Sequence, residues 1–185
     1  MNNKALKFLF VCNGIFVLAG SLLGPLYAVY VEKLGRGVLA ISTSWAVFLL
    51  STTFFMFLVS RFGDGLRKDY LLMGGFLVRA IVWFMFIFIS SIPELIILQI
   101  FLGIGEAMGT PAFGAVFAEH LDKDHHVEDY ADWQLVQNMM MAIGVILGGL
   151  IVNSFGFKYL FFLMSALATI SFVGMLFKPN RVRIN

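Results

Sequence analysis

The chain has 185 residues, 60% of them hydrophobic and 13% charged, with a mean hydropathy of +0.90 and a formal net charge of +2. A water-soluble domain carries roughly a quarter of its residues as charges, so a soluble globule is excluded and a lipid bilayer is the expected surrounding. The basic residues form no binding stripe, so no nucleic-acid partner is expected.

In chain order, charged residues divide the sequence into six apolar runs. The first, 8–31, lies between Lys7 and Glu32 and contains the lone cysteine, Cys12, which is read as ordinary packing. It continues past a weak cleavage site at 18–21 (LAGS), which argues against a removed signal peptide. The second, 37–60, lies between Arg36 and Arg61. The third, 70–92, is interrupted only by Arg79, and the fourth, 95–118, only by Glu106. Runs 133–156 and 159–177 complete the series.

Each run matches the roughly 20 residues that a helix rising about 1.5 Å per residue needs to cross hydrocarbon. Only helices and closed barrels satisfy their backbone in lipid, and these runs are too long and too continuously apolar for barrel strands. The prediction is an all-α integral membrane protein, a single six-helix transmembrane domain over 1–185.

Lysine and arginine in the loops set orientation. Lys4, Lys7, Arg61, Arg67, Lys68, Lys123, Lys178, Arg181 and Arg183 fall on one side; Lys33, Arg36 and Lys158 fall on the other. Both termini are therefore predicted to be cytoplasmic, in a multi-pass protein of a prokaryotic inner (plasma) membrane. The loop 119–132 (EHLDKDHHVEDYAD) holds three histidines among carboxylates without paired ligand spacing, so it reads as a solvated connector with no metal.

Charge gathers in 60–75, SRFGDGLRKDYLLMGG, which the helix order places in the turn between helices two and three. Asp64 and Lys68 resemble the acid and the first paired basic residue of the Gly-x-x-x-Asp-Arg-x-Gly-Arg-Arg turn of the major facilitator superfamily. Arg67 stands where that motif has its second glycine. Helix four, LQIFLGIGEAMGTPAFGAVFAEHL, is similar to the family's Arg-x-x-x-Gly-x-Gly pattern, with Gly103 and Gly105 in place and Gln99 at the arginine. Helix five carries Gly144, Gly148 and Gly149 where the family has Gly-x-x-x-Gly-Pro-x-x-Gly-Gly, without the proline. The resemblance spans about residues 7–178 and implies the N-terminal six-helix half of a normally twelve-helix transporter.

That resemblance implies that helices one and four line a cavity while helices two and five meet the other half. Half a transporter offers one wall of a central site, so a second copy related by a parallel two-fold axis is the expected partner. Asp64, Arg67 and Lys68 are then expected at a cytoplasmic gate, and Gly144, Gly148 and Gly149 in helix packing or the dimer seam.

Arg79 and Glu106 lie near the middle of oppositely directed runs, where a charge costs at least about 2.5–3.5 kcal/mol and must face protein or water. One reading pairs them as a structural ion pair between helices. The other puts Glu106 in the cavity, near its symmetry mate, as the carrier of a coupling proton. Asn13, Tyr27, Gln99 and Asn138 complete the candidate pathway. Gln134, Gln137, Asn138 and Met141 fall at i, i+3, i+4 and i+7 of helix five, on one face.

No Walker sequence, His-Glu-x-x-His or Gly-x-Ser-x-Gly occurs, and after Asp69 no acid follows until Glu94, which removes the aspartate set of a lipid head-group enzyme. No enzyme activity and no cofactor are expected. With 21 phenylalanines and ten methionines, the expected solute is a small organic or amphipathic molecule. A non-transporting scaffold or regulator, and one half of a heterodimeric transporter, stand as alternatives.

Overall fold

A computed structural model describes residues 4–34, 37–121 and 124–177. Seven helices follow in order: α1 (Lys4–Ser21), α2 (Leu26–Lys33), α3 (Val38–Phe62), α4 (Lys68–Met85), α5 (Ile92–Glu119), α6 (His126–Phe155) and α7 (Phe157–Leu176). A single 3-10 turn, Gly63–Gly65, joins α3 to α4, and no strand occurs among the described residues. Of the basic residues used for orientation, Arg36, Lys123, Lys178, Arg181 and Arg183 lie outside the described residues.

Helices α3, α5, α6 and α7 are long and apolar enough to cross a membrane, and α1 with α2 forms a fifth candidate span bent by 44°. The apolar run 8–31 is thus two helices. Gly24 adopts φ +21°, and Pro25 has no N–H to continue the ladder, so the chain breaks and restarts at Leu26. Helix α4 has 18 residues and carries Lys68, Asp69 and Arg79, too many charges to qualify by composition. It packs against both α5 and α7 and buries half of its side chains, so protein rather than lipid shields its charge. Helix α6 begins at His126, not at 133, and much of the acidic segment is helical rather than a connector. Glu128 and Asp129 occupy its first turn, where carboxylates complement the positive helix end.

Packing follows a repeated scheme. Helix α1 rests on α6 and α7, α5 rests on α3 and α4, and α4 meets α7 between them. Exchanging α1–α2, α3 and α4 for α5, α6 and α7, respectively, carries these pairings onto one another. The two outer crossings use the same chemistry with the roles reversed. On α3, Ser51 Oγ donates to the Ile100 carbonyl of α5 at 2.8 Å, and a Cβ at Gly103 of α5 would sit 2.6 Å from Ser51 Oγ. On α1, Ser21 Oγ donates to the Leu18 carbonyl of its own helix at 2.9 Å and reaches the Met140 carbonyl of α6 at 3.4 Å, and a Cβ at Gly144 of α6 would come within 2.0 Å of Ser21 Oγ. Close backbone approach, cemented by a hydroxyl, is how helices associate where lipid removes the hydrophobic driving force.

Rings fill the junction of α1, α2, α4 and α7, with Phe16 and Phe76 at 4.4 Å, Tyr30 and Phe161 at 4.8 Å, and Phe86 and Phe161 at 5.0 Å. The outer faces are also apolar: Leu50 and Phe57 of α3, Ile146 and Leu150 of α6, and Phe162 of α7 are exposed. That arrangement suits a molecule surrounded by hydrocarbon or further protein.

Candidate functional site

Arg79 of α4 and Glu106 of α5 form an ion pair through Nη2 and Oε2. The pair is possible because Gly75, Gly105 and Gly109 bring the two helices into contact; a Cβ at Gly75 would lie 2.7 Å from Gly109 Cα. A Cβ at Gly105 would lie 2.8 Å from Arg79 Cγ, so the arginine stem runs over bare backbone. The second carboxylate oxygen, Oε1, accepts from Thr110 Oγ1 one turn along α5. Behind the guanidinium, Phe16 of α1 presents its ring 5.0 Å from Cζ, a cation–π contact. The arginine side chain is 13% exposed and the glutamate 30%, so the carboxylate is the more accessible partner.

Two clefts meet at this pair, and both are lined by Gly20, Arg79 and Glu106. The larger, about 450 Å³, opens toward the start of α1 and is lined by Asn13, Thr110, Gln134 and Gln137 among phenylalanines. The smaller, about 200 Å³, lies toward α2 and is walled by Tyr27, Trp45, Phe48, Trp83 and Phe86. Rings thus line both sides of the ion pair; the larger cleft adds the amides of Asn13, Gln134 and Gln137, the smaller that of Gln99.

Gln99 lines the smaller cleft yet is only 1% exposed. Its Nε2 donates to Tyr27 Oη at 2.5 Å, and Tyr27 Oη meets Ser44 Oγ at 2.5 Å. Ser44 in turn donates to the Ala40 carbonyl at 2.7 Å. This chain ties α2, just past the break, to α3 and α5. Gln99→Leu is expected to cost about 1–3 kcal/mol, the penalty for leaving buried Tyr27 Oη short of a partner. Tyr27→Phe should be less than additive with it, read by thermal unfolding of the purified single and double variants.

Asn13 sits on the larger cleft as expected, but Asn138 is exposed and does not line it; Gln134 and Gln137 of the same helix do. A helix face drawn at i+3 and i+4 is wide, and α6 is rotated so that Asn138 turns outward. At the α3–α4 turn, Asp64 lies in the 3-10 segment, its side chain outside the described residues. Arg67 Nη2 donates to Asp69 Oδ2 at 2.9 Å and stacks on Tyr70 at 4.5 Å. The adjacent carboxylate holds the Arg67 guanidinium above its ordinary pKa. Lys68 pairs with Glu119 at the far end of α5, closing α4 onto α5. Buried Asp69, also accepting from the Tyr70 N–H at 3.0 Å, and Phe16 are contributors that the sequence reading did not single out. Asp69's place in a helix first turn was the available signal.

Gly144 and Gly148 pack inside the bundle. A Cβ at Gly148 would lie 2.0 Å from the Leu22 carbonyl oxygen beside the α1–α2 break, whereas Gly149 meets nothing within 4 Å.

A family model described as the Major Facilitator Superfamily matches residues 9–184. An uncharacterized MFS-type transporter of Methanocaldococcus jannaschii, MJ1560, is 25% identical over 176 residues, covering 91% of this chain and 46% of that protein. The proton-coupled antiporter flippase LtaA of Staphylococcus saprophyticus is 27% identical over 125 residues, 64% of this chain and 31% of that protein. The chain therefore spans less than half the length of these relatives. The in meso crystal structure of PepTSo, a POT family transporter, superposes with a TM-score of 0.77 at 12% identity, over 95% of this chain and 37% of that one.

Proposed function

Because this chain belongs to the Major Facilitator Superfamily, we propose that it is one six-helix bundle of a secondary active transporter. It is an integral, multi-pass membrane protein. In this reading α1 with α2 and α4 complete the set of six spans, both termini face the cytoplasm, and the membrane is a prokaryotic inner membrane. The observation that carries the reading is the Arg79–Glu106 pair where two ring-lined clefts meet.

A single bundle supplies one wall of a permeation route. In this superfamily the two halves are parallel repeats about an axis along the membrane normal, and a second copy of the chain placed by a two-fold axis satisfies the same geometry. The apolar outer faces of α3 and α6, including Leu50, Phe54, Met139 and Ile146, supply the seam. Single cysteines at Leu50 and Ile146, on a Cys12→Ala background, should each cross-link to a covalent dimer in native-like bilayers. Monomers alone would remove the second-copy reading.

Glu106 is assigned the coupling proton. As a carboxylate it holds Arg79 and closes the junction between the clefts; protonated, it releases the guanidinium to the Phe16 ring and opens the junction. Proton coupling in the LtaA relative supports this assignment. The solute is a small organic or amphipathic molecule, matching clefts that mix rings with amides on both sides of the junction. The test is proteoliposome flux of a panel of such solutes, with internal pH followed by a trapped dye.

A further inference from the structure

We propose that the exposed face at the start of α6 docks the basic segment that follows α7, residues 178–185 (KPNRVRIN) of the same chain. This docking depends on the fold alone, not on transport.

Helix α6 has 30 residues and α7 has 20, and Gly156 alone separates them. The two pack together and run in opposite directions, so at about 1.5 Å per residue α6 overshoots the end of α7 by about 15 Å. Its first turns, from His126 on, stand clear of α7. Val127 and Tyr130 are 85% and 55% exposed there, an apolar pair three residues apart on one helix face. Glu128 and Asp132 run beside them, four residues apart, a like-charge pair that disfavours the helix unless a cation answers it. Asp124 adds an exposed carboxylate just before the helix.

The bundle answers this charge only in part. Glu119 is taken by Lys68, and His125 Nδ1 lies 2.9 Å from Glu128 Oε2, a pairing that carries charge only when the imidazole is protonated. Among the described residues, Asp124 and Asp132 have no basic partner. Asp124, Glu128 and Asp132 thus match Lys178, Arg181 and Arg183 in number and oppose them in sign. Val182 and Ile184 offer apolar side chains to Val127 and Tyr130, and residues 178–185 contain no acid.

Reach is sufficient. Eight residues span at most about 26–29 Å, more than the overshoot. So short a tether also holds the segment beside the face at roughly millimolar effective concentration. Anionic headgroups are the rival partner for the three cations, but a leaflet offers nothing to the exposed acids. Docking satisfies both sets of charges and covers Val127 and Tyr130. Tyr130 and Gln134 also line the larger cleft, so the docked segment sits at its mouth.

The test is thiol cross-linking of the purified full chain by a short bismaleimide, on a Cys12→Ala background. Val182→Cys is paired either with Ala131→Cys, on the proposed face, or with Leu66→Cys. Leu66 is exposed beside Arg67 and Lys68 at the start of α4, which also packs on α7. The product within one chain should form about tenfold faster at position 131 than at 66, in micelles and in phosphatidylcholine vesicles alike. Glu128→Lys with Asp132→Lys, or molar salt, should lower the rate at 131 to that at 66. Adding Arg181→Glu with Arg183→Glu to the reversed face should restore it. Equal rates at the two sites, a preference indifferent to charge reversal and salt, or a product joining two chains would each overturn the docking. So would loss of the preference in phosphatidylglycerol vesicles, which would give the segment to the leaflet instead. Should the reversed variants fail to fold, the salt series on the two parent pairs decides alone.

Discussion

Glu106→Gln is expected to abolish proton-driven flux altogether while also lowering stability. Glutamine carries no exchangeable charge, so a coupling proton has no seat. It also leaves Arg79, buried between α1, α4 and α5, without its counter-ion. Removing one member of a buried pair costs about 3–5 kcal/mol, because the survivor is left uncompensated. Arg79→Gln alone should cost a similar amount for the same reason. The double substitution separates the two roles: it removes both charges, so much of the thermal stability should return while flux stays absent. The measurements are thermal unfolding in detergent and dye-reported proton movement in proteoliposomes. Proton-driven flux that survives Glu106→Gln would end the coupling assignment.

The second large effect is expected at Gly148. An alanine there would place its Cβ 2.0 Å from the Leu22 carbonyl oxygen and 2.9 Å from its carbon, both backbone atoms that cannot rotate aside. Helix α6 would have to separate from the α1–α2 break, at a cost of at least about 1–3 kcal/mol. The neighbouring Gly149 has open space around it, so Gly149→Ala should change stability by less than about 0.5 kcal/mol. Two adjacent glycines with opposite outcomes, read by folded yield and melting temperature, test the packing of α6 directly. Equal effects at both positions would mean that α6 is turned otherwise.

The helical, membrane-spanning class was legible because charge is so costly in hydrocarbon that it falls only where the chain leaves it. The Arg79–Glu106 contact was legible for the same reason: two charges at similar depth on opposed runs stabilise each other best by meeting. Other features escaped that logic. The break at Gly24–Pro25 interrupts no apolar run, so a reading based on charge spacing passed over it although the proline was in plain view. Glycine spacing on α6 indicated close approach, but spacing names no partner, and Gly144 and Gly148 meet α1 of the same bundle. The outward turn of Asn138 and the Gln99–Tyr27 bond, linking residues 72 positions apart, depend on helix rotation and tertiary packing that periodicity alone does not fix.

The reversed serine and glycine at the two outer crossings bear on how the bundle assembles. Were both crossings alike, α3 and α6 could trade berths during insertion, since each packs on an equivalent neighbour. With Ser51 on α3 facing Gly103, and Gly144 on α6 facing Ser21, a trade would press hydroxyl against hydroxyl at one berth and leave a gap at the other. Each helix thus fits one slot, and a nascent chain whose two triplets so nearly match has a built-in safeguard against threading them wrongly.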